Sequence, residues 1–78
     1  MSDKKEIDEI KKAIVANTDE CFHVSFDSDG AGNHYTIYLV RGGVDMGKLQ
    51  SELINLKLSK RYIVILCNDD LIKYKIKD

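Results

Sequence analysis

Arg61-Tyr62-Ile63-Val64-Ile65-Leu66-Cys67-Asn68-Asp69-Asp70-Leu71-Ile72-Lys73-Tyr74-Lys75-Ile76-Lys77 is the stretch on which the fold turns. Its first part, from Tyr62 to Cys67, is apolar at every position. A strand that is apolar on both faces belongs inside a sheet, so residues 61–68 predict a central strand. The second part alternates Ile72, Tyr74 and Ile76 with Lys73, Lys75 and Lys77. Period-two alternation predicts a strand over 71–77, and lysines along a terminal strand discourage pairing with another chain. A turn around Asn68-Asp69-Asp70 would set Ile63 and Ile65 on the same face as Ile72, Tyr74 and Ile76.

Upstream, Met46, Leu49, Leu53 and Leu56 form an apolar stripe that predicts a helix over 45–57. Asp45 is its expected N-cap, with Val44 and Leu49 as a hydrophobic staple. Residues 21–40 read as a hairpin. Phe22, Val24 and Phe26 alternate with His23, Ser25 and Asp27, and Tyr35, Ile37 and Leu39 alternate with Thr36, Tyr38 and Val40. A turn over Asp29-Gly30-Ala31-Gly32 pairs Ser28 with Asn33, Asp27 with His34, and Val24 with Ile37, which gathers the apolar set on one face. At the N-terminus, Ile7, Ile10 and Ile14 predict a helix over 3–17, with Asp3 and Glu6 spaced as a capping box.

Helix then hairpin thus occurs twice. The expected fold is α+β with an αββαββ plan: one domain, residues 1–78, in which two helices cover one face of a four-stranded sheet. A right-handed crossover through the second helix would make strands 2 and 3 parallel neighbours in the order 1-2-3-4. The order 2-1-3-4, with an approximate two-fold axis, is the alternative.

At 78 residues the chain supports one small core, and 44% hydrophobic with 32% charged residues is an ordinary globular balance. A net charge of −1 argues against generic nucleic-acid binding. No apolar run reaches the length of a membrane span or a signal segment. Cys21 and Cys67 lack metal or disulfide-framework spacing. Two reduced cysteines point to a cytoplasmic protein.

Four constellations invite chemistry. Gly42-Gly43-Val44-Asp45-Met46-Gly47-Lys48 fits a phosphate-binding loop in form. Yet Leu49 stands where a hydroxyl would hold magnesium, and Asp45 puts a carboxylate where phosphate would sit. No nucleotide or other cofactor is expected. Asp27-Ser28-Asp29-Gly30-Ala31-Gly32-Asn33 echoes a calcium loop, but Ala31 and Tyr38 stand at ligand positions, and a hairpin turn explains the composition. His23 and His34 share a strand face, but the register separates them by four residues, roughly 13 Å at about 3.3 Å per residue. They cannot share a metal, and no metal site is expected. Asp27 and His34 could pair as an acid–base couple, with no nucleophile or oxyanion donor beside them.

The expected function is therefore not enzymatic. Tyr38 and Val40 on strand 2, with Val64 and Leu66 on strand 3, would form an apolar patch on the sheet face that no helix covers. Such a patch marks an interface with another protein or with a second copy as a homodimer, in an inhibitor, a regulator or another binding module. The alternative is nucleic-acid binding through Lys57, Lys60, Arg61, Lys73, Lys75 and Lys77, without the aromatic interleaving typical of such modules.

Overall fold

A computed structural model describes residues 2–30 and 32–77, with the side chains of Ser2, Asp3 and Lys77 outside the described set. Ala31, in the hairpin turn, is also outside it. The elements are α1 (Ser2–Val15), β1 (Phe22–Asp29), β2 (Gly32–Val40), α2 (Met46–Asn55), β3 (Arg61–Cys67) and α3 (Asp69–Lys77). The sheet has three strands in the order β1-β2-β3, and the fold is α+β with three helices.

The hairpin forms in the register its alternation dictates. Phe22 pairs with Leu39, Val24 with Ile37, Phe26 with Tyr35 and Asp27 with His34, and the ladder runs on to Asp29 and Gly32. Gly32 sits at φ +103°, a conformation that side chains disfavour, so the turn needs a glycine there. α2 then carries the chain back, and β3 pairs with β2 in parallel: Tyr35 with Tyr62, Ile37 with Val64, Leu39 with Leu66.

The main core lies between this face and the first two helices. Ile10, Ile14, Tyr35, Ile37, Leu39, Leu49 and Leu53 are sealed from solvent, with Val24 nearly so. Polar groups tie the layers at their ends. Asn17 donates to the Ala13 carbonyl at 2.7 Å, satisfying the end of α1, and to Glu52 on α2 at 2.6 Å. Glu6 was expected to complete a capping box with Asp3. Asp3 instead lies within α1, and its side chain is among those not described. The Glu6 carboxylate accepts from the Tyr35 hydroxyl, from the Ser59 amide at 2.8 Å and from the Ser59 hydroxyl at 2.8 Å. These bonds, with the Tyr35 hydroxyl foremost, hold the Glu6 carboxyl below its ordinary range.

The expected four-stranded sheet and its αββαββ plan are overturned at 69–77, which is a helix. Neither the order 1-2-3-4 nor 2-1-3-4 survives, because the described residues hold no fourth strand to place, although the parallel pairing of strands 2 and 3 does occur. The local reason is capping. The Asn68 side chain accepts from the Leu71 amide at 3.0 Å, and Asp69 and Asp70 fill the first turn. Carboxylates at the start and lysines at the end both favour the helix dipole. Asp69 also pairs with Lys73 at 3.5 Å, one turn on. The tertiary reason is the second sheet face, which two helices on one side would leave bare. α3 packs there on β1 and β2, and Ile72 is completely buried beneath it.

Candidate functional site

The parallel register decides which β3 side chains share a face. Tyr62, Val64 and Leu66 align with Tyr35, Ile37 and Leu39, so they lie on the α1/α2 side. Ile63, Ile65 and Cys67 align with Thr36, Tyr38 and Val40, on the α3 side. The expected patch of Tyr38, Val40, Val64 and Leu66 is therefore split between two faces. Val64 is half-buried against the core, and Leu66 is 37% exposed at its margin. Tyr38 and Val40 are half-buried on the opposite side. The Tyr38 ring lies 6.0 Å from His23, with the Lys75 ammonium 5.2 Å from its centre. An ammonium at that distance from an aromatic ring is attracted to its face.

Exposed apolar side chains occur at Val15, at Ile54, along α3 (Leu71, Tyr74, Ile76) and at the outer margin of β3. Ile63 is 44% and Ile65 36% exposed on the α3 side. Sequence reasoning assigned both to the helix-facing core, because it paired β3 with a fourth strand. Both edges of the sheet, β1 and β3, lack a strand partner among the described residues. On β3 that edge is flanked by apolar side chains above and below.

The basic residues do not all fall in one place. Lys60 lies 5.6 Å from the Phe26 ring centre, and Lys73 is paired with Asp69. Lys75 sits over Tyr38, whose β3 neighbour is Ile65. That is four residues from Arg61, roughly 13 Å along the strand. Lys57 is exposed just past α2, at a positive φ of 53° that ends the helix. The side chain of Lys77 lies outside the described residues.

Around the hairpin's polar face, Asp27 accepts from Ser25 at 3.3 Å and from Thr36 at 2.5 Å. His34 lies beside it, 6% exposed, with Nδ1 lacking a hydrogen-bond partner among the described residues. His23 is held toward its neutral form, first by burial and then by Lys75 and Lys11. At the glycine-lysine loop, the Asp45 carboxylate accepts from the Lys48 amide at 3.2 Å and occupies the helix N-terminus. A Cβ at Gly43 would stand 2.7 Å from Cγ of Glu20, an exposed side chain that would have to shift. Cys21 and Cys67 are free and half-buried. Among the described residues, no group of three or more His, Cys, Asp or Glu side chains is placed to hold a metal, and no helix is long and apolar enough to cross a membrane.

Comparison of the chain with known protein families, with curated proteins and with solved structures finds no match.

Proposed function

We propose that this chain is a protein-binding module whose contact surface is the outer margin of β3. One observation carries the reading. A strand of seven residues lies at the rim of the sheet and leaves Ile63, Ile65 and Leu66 each more than a third exposed. Isolated exposed aliphatics are ordinary, but Ile63 and Ile65 stand together on the α3 face of an unpaired strand edge, beside backbone groups able to pair, with Leu66 exposed on the opposite face. Tyr38 and Val40 contribute behind Ile65, and Leu66 contributes on the far side. Val64 serves mainly the core.

A binding role without catalysis fits the polar groups. Asp27 is engaged by two hydroxyls, those of Ser25 and Thr36. The dispersed lysines favour protein over nucleic acid as the partner, and salt dependence separates the two. Phosphate contacts weaken steeply with added salt, whereas apolar contacts do not.

The test is the double variant I63K/I65K. Both side chains are exposed, so circular dichroism should report an intact fold, while association measured by sedimentation and by capture on a tagged chain is lost. Unchanged association in a folded variant would sink the reading.

A further inference from the structure

The partner that best fits the β3 edge can be read from the strand itself. This inference rests on the interface reading above and goes beyond it by naming the occupant and the register. The Arg41 amide, just past β2, donates to the Cys67 carbonyl at 3.0 Å, so the backbone groups of Cys67 point inward to β2. In a parallel ladder one residue bonds on both sides of its partner and the next turns its groups away. Ile65, Ile63 and Arg61 therefore share the inward orientation of Cys67. Tyr62, Val64 and Leu66 turn their amides and carbonyls to the open edge.

We infer that β3 pairs antiparallel with β3 of a second copy of this chain, with Val64 on the two-fold axis, joining two sheets into one of six strands. In antiparallel pairing, residues with outward-turned groups must oppose one another and exchange both bonds. Only registers that oppose even-numbered residues satisfy this. Centring on Val64 gives the longest overlap, with Tyr62 opposite the partner's Leu66 and Val64 opposite its own counterpart. About six backbone hydrogen bonds result, two for each such pair. The side chains agree with the backbone. Ile63 falls opposite the partner's Ile65 at a non-hydrogen-bonded position, where cross-strand side chains approach most closely. These are the two apolar residues of β3 left exposed on the α3 side. Arg61, the strand's one charged residue, falls opposite Cys67, so no like charges meet. The interface is isologous, as a closed dimer requires.

The other edge offers no such match. β1 carries Asp27 and Asp29 in its second half, both exposed, and a carboxylate-bearing edge discourages pairing.

The test uses the full chain and a charge swap specific to this register. Wild type should sediment as a dimer at high concentration and dissociate on dilution. I63K/I65K should remain folded and become monomeric, because each introduced lysine meets another. I63K/I65E should recover the dimer, since each introduced lysine now faces an introduced glutamate of the partner. Hydrogen exchange of the wild-type chain gives a second readout free of any folding defect: the Tyr62, Val64 and Leu66 amides should gain protection as concentration rises. A charge-swap chain that stays monomeric, or amides whose exchange ignores concentration, would overturn the pairing. A monomeric wild type would overturn it too. If capture of a different protein were then still lost in I63K/I65K, the interface reading would stand without self-pairing. A dimer that I63K/I65K leaves intact would overturn both.

Discussion

The two edges of the sheet are built on opposite plans. β1 belongs to a local hairpin, bears Asp27, Ser28 and Asp29 along its second half, and is packed by α1 on one side and α3 on the other. β3 joins through a long crossover, is apolar but for Arg61, and lies beside the area that α3 covers. One short helix explains the asymmetry. Nine residues can shield two strands but not three, and the shielded pair is the one with polar side chains to satisfy. An edge is thus kept from pairing by charge and cover together, whereas β3 has a single charge at its first residue, Arg61, and cover on one face only.

The comparison breaks most severely if α3 is released. Among the described residues of α3, Ile72 alone is fully buried, held over β1 and β2. Ile72→Ala should cost about 2–5 kcal/mol in urea unfolding, a large share of what so small a domain possesses. Near-native helicity from α1 and α2 with lost near-ultraviolet signal from Tyr38 would show the helix undocked before the sheet fails.

A smaller effect is expected at the hairpin that makes the β1 edge. Gly32→Ala forces a side chain into φ +103° and should cost about 1–2 kcal/mol. Nothing lies within 4 Å of the added Cβ, so the loss is one of backbone conformation alone. Gly30 is equally open and has no positive φ, so Gly30→Ala should be close to neutral and serves as the matched control. Equal losses at both sites would count against this account of the turn.

The smallest effect concerns the entry to β3, where Glu6 holds Ser59 and the Tyr35 hydroxyl. Its folded carboxyl titrates below the ordinary value of 4.5. The stabilisation is therefore fully present above that value and fades as the pH falls through the lower, folded one. Wild type should exceed Glu6→Gln in thermal stability by a constant margin near neutrality, and the margin should shrink in acid. A margin that grows in acid would reverse the sign and refute the assignment.

How much of this was legible in the sequence depends on the range of the signal. The hairpin register was readable because alternation and turn length constrain each other within twenty residues. The helical state of 69–77 was not, since over seven residues Ile72, Tyr74 and Ile76 fit a strand as readily as a helix. Asn68-Asp69-Asp70 carried the capping signal that settles the matter, and it reads equally well as a turn. That single misreading reversed the faces of β3, because a hairpin to a fourth strand would have turned Ile63 and Ile65 inward. The apolar character of β3 on both faces was visible from the start; which face the core claims is set by β2. Glu6 was legible as an acidic residue in a first turn, but its partners lie 29 and 53 residues away and leave no local trace.

The parallel pairing of β2 with β3 also orders events in time. A hairpin closes its contacts locally, within microseconds, whereas β3 must await closure of the chain through α2. In the interval, the edge of β2 is the open one. Side chains that act early and late should then be separable by kinetics: Ile37→Val should slow refolding, while Val64→Ala should chiefly hasten unfolding. Stopped-flow chevrons with the two roles exchanged would place β3 in the nucleus instead. On this order of events, the strand last to arrive is the one left facing outward, and a neighbour that seals it would lengthen the lifetime of the folded state without altering how quickly it forms.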